Sequence, residues 1–354
     1  MATTGVRSEQ RPGRVFTTPR TFQWPDETPE DAGFDATALE DVAQLAADNA
    51  SDSLLVIRNG AVVLERYWNQ KTASDVQQTY SGTKSLFSLL VGRAIGCGHI
   101  EDLDQPLRRW VPEMPASQDQ LTFRNVLAME SGMENSMQIE GLGKTGKTQL
   151  EIALERQITS APFQQYHYNN AAYRLLFTAL ERASGMDLET LTEREVFGPL
   201  SFEGAHWMRL YATGNGKERF TGYQSIRMTP RDFAKSAQVI VADGMWAGEP
   251  FLPESYVRAL VRSPAPDTNP SFGLFHHLNA GHFYRNFAMP DRIDRRLVPG
   301  APEDLFLMFG AGGQVVAGVP SLKLVVVRTG GNAGSIYEEN NYIARLLRMI
   351  VEAQ

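Results

Sequence analysis

Runs of strand-forming residues lie near both ends of the chain, with a long helix-rich stretch between them. Near the start, Ser53-Leu54-Leu55-Val56-Ile57-Arg58 and Ala61-Val62-Val63-Leu64-Glu65-Arg66-Tyr67 flank Asn59-Gly60. Asn-Gly tolerates the positive φ angles of a type I′ turn, so the two runs read as an antiparallel hairpin. Near the end, Leu305 to Phe309, Gln314 to Val319 and Leu322 to Arg328 have the same β-rich texture, with a turn at Pro320-Ser321. Strands at both ends with helices between them predict one α/β domain built from both termini, with a mainly helical domain inserted into it. The expected boundaries are a loose tail over 1–22, the α/β domain over 23–80 and 240–354, and the helical domain over 81–239, with the active site at the interface.

Helical periodicity fills in the rest. Asp35 opens a helix with Leu39, Val42 and Leu45 on one face, and the chain ends in an amphipathic helix carrying Ile343, Leu346, Leu347 and Ile350. Ser85 to Ile95, Thr148 to Arg156, Asn170 to Ala183 and Arg231 to Val241 read as helices in the middle.

Composition narrows the function. The 354 residues are 42% hydrophobic and 21% charged, with a net charge of −7, which gives neither a disordered chain nor a basic nucleic-acid binder. The single cysteine, Cys97, excludes an internal disulfide framework and reads as a buried structural thiol. The first ten residues have no apolar core and no apolar run is long enough to span a bilayer, so the expected location is the cytoplasm. The six histidines show no ligand spacing, and no metal or other cofactor is expected.

Ser81-Gly82-Thr83-Lys84 follows a polar loop and leads into an apolar helix bearing Leu86, Phe87, Leu89, Leu90, Val91 and Ala94. Residues three apart on a helix share a face, with roughly 5–6 Å between Cβ atoms, so the lysine amine reaches the serine hydroxyl. Serine is a poor nucleophile until a base takes its proton, and a lysine with a lowered pKa can be that base. The helix N-terminus offers free N–H groups to an oxyanion. The competing reading makes Ser81 a helix cap and Lys84 an exposed first-turn residue.

Two further elements fit an acyl-transfer site. Tyr168-Asn169-Asn170 opens the helix with Tyr173, Leu175, Leu176 and Leu180. A phenol there can relay a proton between the serine, the lysine and the leaving group, and Asn170 can hold the lysine and a substrate carbonyl. Alternatively, an asparagine caps the helix and Tyr168 packs beneath it. Tyr284-Arg285-Asn286 matches the same pattern but lies in a strand-like run with no helix after it. The segment Gly310-Ala311-Gly312-Gly313-Gln314 leads into a strand. Its glycines let the backbone approach a substrate closely, and the Gln314 N–H can complete an oxyanion hole with the N–H of Ser81. A glycine-rich bulge is the other reading.

In this order the elements resemble the penicillin-recognising serine hydrolase superfamily. It includes class C β-lactamases, D-alanyl-D-alanine peptidases, β-lactamase-like esterases and 6-aminohexanoate-dimer hydrolases. The resemblance runs from about Pro29 to the last helix and is greatest to the esterase and nylon-oligomer hydrolase branch. Its carriers include Ser81 to Ser85, Leu103-Asp104-Gln105-Pro106, Ser131-Gly132-Met133, Tyr168 to Asn170, Thr229 to Asp232 and Pro299 to Pro302. It implies a β-lactamase-like α/β fold, with an antiparallel sheet flanked by the N- and C-terminal helices and an inserted, mainly helical domain. It also implies Ser81 as acyl-enzyme nucleophile, Lys84 as general base and Tyr168 as proton relay. The family's third motif commonly carries Lys-Thr-Gly or His-x-Gly, whereas the first position here is Ala311, with Gly312 and Gly313 after it. Without that cation, the expectation moves from β-lactams and D-alanyl peptides to small esters or amides, with no nucleic acid or membrane partner.

Two rival readings come from other classes. Gly141-Leu142-Gly143-Lys144-Thr145-Gly146-Lys147-Thr148 matches the P-loop pattern, and Val239-Ile240-Val241-Ala242-Asp243 resembles the acidic strand of nucleotide-binding proteins. A P-loop follows a buried strand, which Glu134 to Glu140 is not, and Val239 to Asp243 reads as a helix end stopped by Gly244. The third reading is a catalytically dead relative that only binds ligands, which the presence of serine, lysine and tyrosine together opposes.

Overall fold

Asn59 and Gly60 have φ angles of 51° and 80°. That left-handed pair reverses the chain between strand β1 (Ser51–Arg58) and strand β2 (Ala61–Tyr67). Strands β3 (His277–Leu278), β4 (Phe306–Gly310), β5 (Gln314–Val319) and β6 (Leu324–Gly330) come from the other end of the chain. The six strands form one antiparallel sheet in the order β2-β1-β6-β5-β4-β3. Val56 on β1 stands opposite Val326 on β6, so the two chain ends meet in the middle of the sheet. The computed structural model describes residues 7–12, 22–134, 146–214, 217–286, 291–331, 333–334, 336–338 and 341–354.

Five helices set the layers: α1 (Ala36–Asp48), α2 (Gly82–Gly96), α3 (Asn170–Ser184), α4 (Pro230–Val241) and α5 (Tyr342–Glu352). Side chains alternate across a strand. Leu54, Val56 and Val326 therefore point to one face, where they pack with Leu39 and Val42 of α1 and Ile343, Leu346 and Leu347 of α5. Leu55, Ile57, Val325 and Val327 point to the other face, into a core shared with Val239 and Ile240 of α4 and Leu86 and Leu89 of α2. Burial on both faces explains why the central strands read as unbroken apolar runs. Helix α2 is buried on nearly all sides, which holds its first turn at the heart of the molecule.

The helical region also contains a long antiparallel ribbon, His206–Gly214 with Lys217–Met228, where the sequence reading expects helices. Its signal is present in the sequence. Met208, Leu210 and Ala212 are buried while Arg209, Tyr211 and Thr213 are partly exposed, a period of two. Arg7–Pro12, inside the stretch expected to be a tail, pairs with one edge of this ribbon, and Gln77–Gln78 pairs with the other. Backbone pairing along an edge needs no apolar alternation, so composition gives no sign of it. Helix α4 packs on β5 and β6, so the expected boundary between 239 and 240 falls within it.

Cys97 corrects an expectation: it is exposed rather than buried. Helix α2 ends at Gly96, and the next residue leaves the core, where its thiol donates to Glu195 at 3.1 Å. Among the described residues, no helix is long and apolar enough to cross a membrane.

Leu55 is fully buried between β1 and the helices of the inserted region. Leu55→Ala should lower the unfolding free energy by about 2–5 kcal/mol in urea titrations. A loss under about 1 kcal/mol would contradict a close-packed interface at this position.

Candidate active site

The turn leading into α2 is held from two sides. On one side, Thr79 N–H and Oγ1 donate to the Ile226 carbonyl at 3.1 and 2.9 Å, and Ile226 N–H donates to Thr83 Oγ1 at 2.9 Å. On the other, a Cβ placed on Gly310 would lie 2.1 Å from the Thr79 carbonyl oxygen, so only glycine lets β4 approach this closely. Between these anchors Tyr80 adopts a φ of 47°, an unfavourable backbone for a non-glycine residue. Ser81 follows it as the half-buried first residue of the turn into α2. It occupies the N-cap position of α2, but its side chain makes no capping hydrogen bond, which leaves Oγ free of that role.

Lys84 lies one turn along, 6% exposed, with Nζ 3.4 Å from Ser81 Oγ. The reading of Lys84 as an exposed first-turn residue is excluded. Its amine sits 4.9 Å from the centre of the Tyr168 ring and 5.1 Å from that of Tyr173. Burial, and then the positive charge of Arg174, hold the Lys84 pKa well below the usual amine range. A side-chain hydrogen bond joins the Tyr168 and Ser81 hydroxyls. Burial pushes the Tyr168 phenol up to about 12, with Ser81 and Arg174 pulling the other way. The three groups therefore meet as an amine that burial makes hard to protonate, a hydroxyl and a neutral phenol.

Helix α3 places Tyr168 and Arg174. Asn169 is its cap: its side chain accepts from Ala172 N–H at 2.9 Å and donates to the Met133 and Glu134 carbonyls, both at 3.0 Å. Capping thus takes Asn169 and leaves Tyr168 turned to the serine. Asn170 is half-buried in the first helical turn and makes no hydrogen bond to Lys84. The Tyr284 alternative is settled by its surroundings, since Tyr284 is buried and its hydroxyl donates to the Tyr337 carbonyl at 2.8 Å.

Gly310 and Gln314 face each other across β4 and β5, and Ala311, Gly312 and Gly313 form the turn between them. Gly312 and Gly313 have φ of 76° and 83°, which explains the glycine pair. Ala311 is exposed, and Gln314 is buried with its side chain bonded to Gly330 in both directions. The segment is a hairpin turn, not only the start of a strand. Its β4 end touches the serine turn through Gly310 and Thr79.

The nucleotide-binding motif loses its context. Gly141 to Thr145 lie outside the described residues. Thr148 caps a helix of six residues, Gln149–Leu154, and Lys147 pairs with Glu155 at 2.6 Å. Val239 to Val241 belong to α4, a helix rather than an acidic strand. Sequence reading missed Arg174, whose signal is a lone cation in the apolar run Tyr173 to Phe177. The guanidinium lies 5.0 Å from the Tyr173 and Phe177 ring centres.

A profile of the Beta-lactamase family matches residues 38–330. The chain belongs to that family. Its members are serine hydrolases, and the fold is the β-lactamase-like one. Among solved structures, a candidate 6-aminohexanoate-dimer hydrolase from Bacillus anthracis superposes with a TM-score of 0.69 at 17% identity, covering 94% of this chain and 87% of that one. EstCE1, a hydrolase with promiscuous acyltransferase activity, gives 0.64 at 16% identity over 89% of this chain and 98% of its own. A penicillin-binding protein from Bacillus halodurans gives 0.62 at 15% identity over 88% and 98%. No curated protein matches the sequence.

With lysines carrying 13C-methyl groups, the Lys84 resonance should titrate well below the ordinary amine range. Arg174→Gln removes a positive charge that opposes protonation, so it should move the Lys84 titration to higher pH. An unchanged midpoint in that variant would show that burial alone lowers it.

Proposed function

We propose that the protein is a serine hydrolase that forms an acyl-enzyme on Ser81 and hydrolyses esters or amides of small acyl substrates. The observation that carries this reading is the contact of Ser81 Oγ with both the buried Lys84 amine, at 3.4 Å, and the Tyr168 hydroxyl. Lys84, neutral in the resting protein, takes the Ser81 proton as Oγ attacks the carbonyl carbon. The N–H groups of Ser81 and Gln314 hold the oxyanion. The tetrahedral adduct collapses as the bond to the leaving group breaks, and the proton passes from Lys84 through Tyr168 to the departing alkoxide or amine. Water then attacks the ester on Ser81, giving up its proton to the same pair, and the acid leaves as Ser81 regains its hydrogen.

Two supports point to esters or small amides within the family. Ala311 stands at the turn position where a cation would meet a substrate carboxylate, and it is exposed. Of the structural relatives, one is named a 6-aminohexanoate-dimer hydrolase and another a hydrolase with promiscuous acyltransferase activity. Gly312 and Gly313, with Asn170, are the proposed substrate contacts. No metal or other cofactor enters the reaction as written.

Purified protein should hydrolyse a short p-nitrophenyl ester faster than a chromogenic cephalosporin or a D-alanyl peptide. Ser81→Ala should abolish turnover, and Tyr168→Phe should lower kcat by about 10²–10⁴ as a proton path is lost. Activity should rise with pH through the lowered Lys84 pKa, because protonation removes the base, and then hold level until Tyr168 ionises near 12. Lys147→Ala should leave turnover intact and the protein should bind no ATP. Full turnover in Ser81→Ala would end this reading, and Mg-ATP binding lost in Lys147→Ala would favour a nucleotide-binding protein.

A further inference from the structure

Arg328, on β6, is 1% exposed and is surrounded by neutral oxygens. Its Nε donates to Ser51 Oγ at 3.0 Å. Nη2 donates to the Asn49 and Ala50 carbonyls at 2.9 and 3.0 Å. Nη1 donates to the carbonyls of Gly312, Gly313 and Gly331 at 3.2, 2.9 and 3.0 Å. Burial lowers its pKa from the usual arginine value. A buried charge held mostly by carbonyl dipoles, with the Ser51 hydroxyl, Tyr342 and the Asp52 charge also favouring it, is a costly way to fasten a turn.

The geometry of the peptide bond gives that arrangement a use. A trans peptide is planar, with its C=O and N–H pointing in opposite directions. The Gly313 carbonyl and the Gln314 N–H belong to one such plane. Pinning the carbonyl on Nη1 therefore aims the Gln314 N–H away from Arg328. The Gly312 carbonyl and the Gly313 N–H are fixed in the same way. Both glycines have positive φ and the widest backbone freedom, so without an external hold their peptide planes are free to rotate. A Cβ on Gly313 would lie 2.8 Å from Nη1, so glycine is also what lets the guanidinium reach the turn. The Gln314 side chain is tied separately, with Nε2 donating to the Gly330 carbonyl at 2.6 Å and Oε1 accepting from Gly330 N–H at 3.2 Å.

We propose that Arg328 is a positioning residue for acyl transfer: by holding the Gly312 and Gly313 carbonyls, it aims the N–H groups of the Gly310–Gln314 hairpin at the oxyanion formed over Ser81. This rests on the acyl-enzyme reading above. Arg328 touches no substrate, and it acts on the transition state through the turn.

The test compares Arg328→Lys with Ser51→Ala. Lysine keeps the charge but offers one ammonium in place of three nitrogens, so it cannot hold the Asn49 and Ala50 carbonyls and the turn carbonyls at once. Ser51→Ala removes the Nε anchor and leaves the turn contacts in place. Arg328→Lys should lower kcat for the p-nitrophenyl ester at least about tenfold, with KM within about twofold, since one misaimed oxyanion donor costs up to about 10²–10³. Inhibition by a small alkyl boronic acid, which forms a tetrahedral adduct on serine, should weaken by the same factor. Ser51→Ala should lower Tm and keep kcat. If Arg328→Lys does not fold, Gly313→Ala pushes a methyl against the same nitrogen and against the Ala333 Cβ, both at 2.8 Å, and should lower kcat by at least the same factor. The proposal is overturned if a folded Arg328→Lys or Gly313→Ala keeps wild-type kcat, or if Ser51→Ala loses as much kcat as they do. In that case Ser81→Ala would still be inactive; turnover in Ser81→Ala would instead remove the acyl-enzyme reading on which the proposal rests.

Discussion

A lysine amine packed 3.4 Å from a serine hydroxyl, walled by Tyr168 and Tyr173, is expensive to protonate. Water would normally pay the solvation of that charge, and here tyrosine rings and an apolar helix stand in its place. Arg174 adds a like charge from the neighbouring helix. The amine is left as a base without being given a carboxylate partner. Nearly every other feature of the site follows from keeping that pair dry and in register.

Register is supplied by two parts of the fold that meet at the serine turn. The ribbon strand Lys217–Met228 grips Thr79 and Thr83 through Ile226. The sheet reaches the same turn through Gly310, which sits against the Thr79 carbonyl. Ser81 therefore stands where the ribbon and the sheet reach the same turn. The strained Tyr80 backbone, with its φ of 47°, is tolerated because both neighbours hold the segment. The central sheet, in turn, is closed by β1 and β6 from opposite ends of the chain, so the site depends on the whole chain having folded.

How much of this the sequence carried varies with the kind of interaction. Asn59-Gly60 dictates its own turn, and its positive φ values are local chemistry. The spacing of Ser81 and Lys84 likewise fixes their contact once a helix forms. The ribbon His206–Gly214 and Lys217–Met228 was less legible. Its second strand opens on the exposed run Lys217 to Phe220, which shows no alternation, so only part of the pair carries the period of a strand. Cys97 misled because it ends an apolar helix, and only the packing shows the chain leaving the core there. Arg174 and Arg328 were beyond reach for another reason. Each owes its role to partners far away in sequence, and nothing in Tyr173-Arg174-Leu175 or Val327-Arg328-Thr329 says what the guanidinium will meet.

The central claim is that Ser81 Oγ, activated by Lys84, becomes covalently acylated. The most direct measurement is intact-protein mass spectrometry after acid quench of a reaction with a p-nitrophenyl ester, followed by peptide mapping. The account predicts one acyl group per chain, on the peptide carrying Ser81, absent in Ser81→Ala and slow to form in Lys84→Met. Acylation of another residue, or an equal adduct in Ser81→Ala, would contradict it.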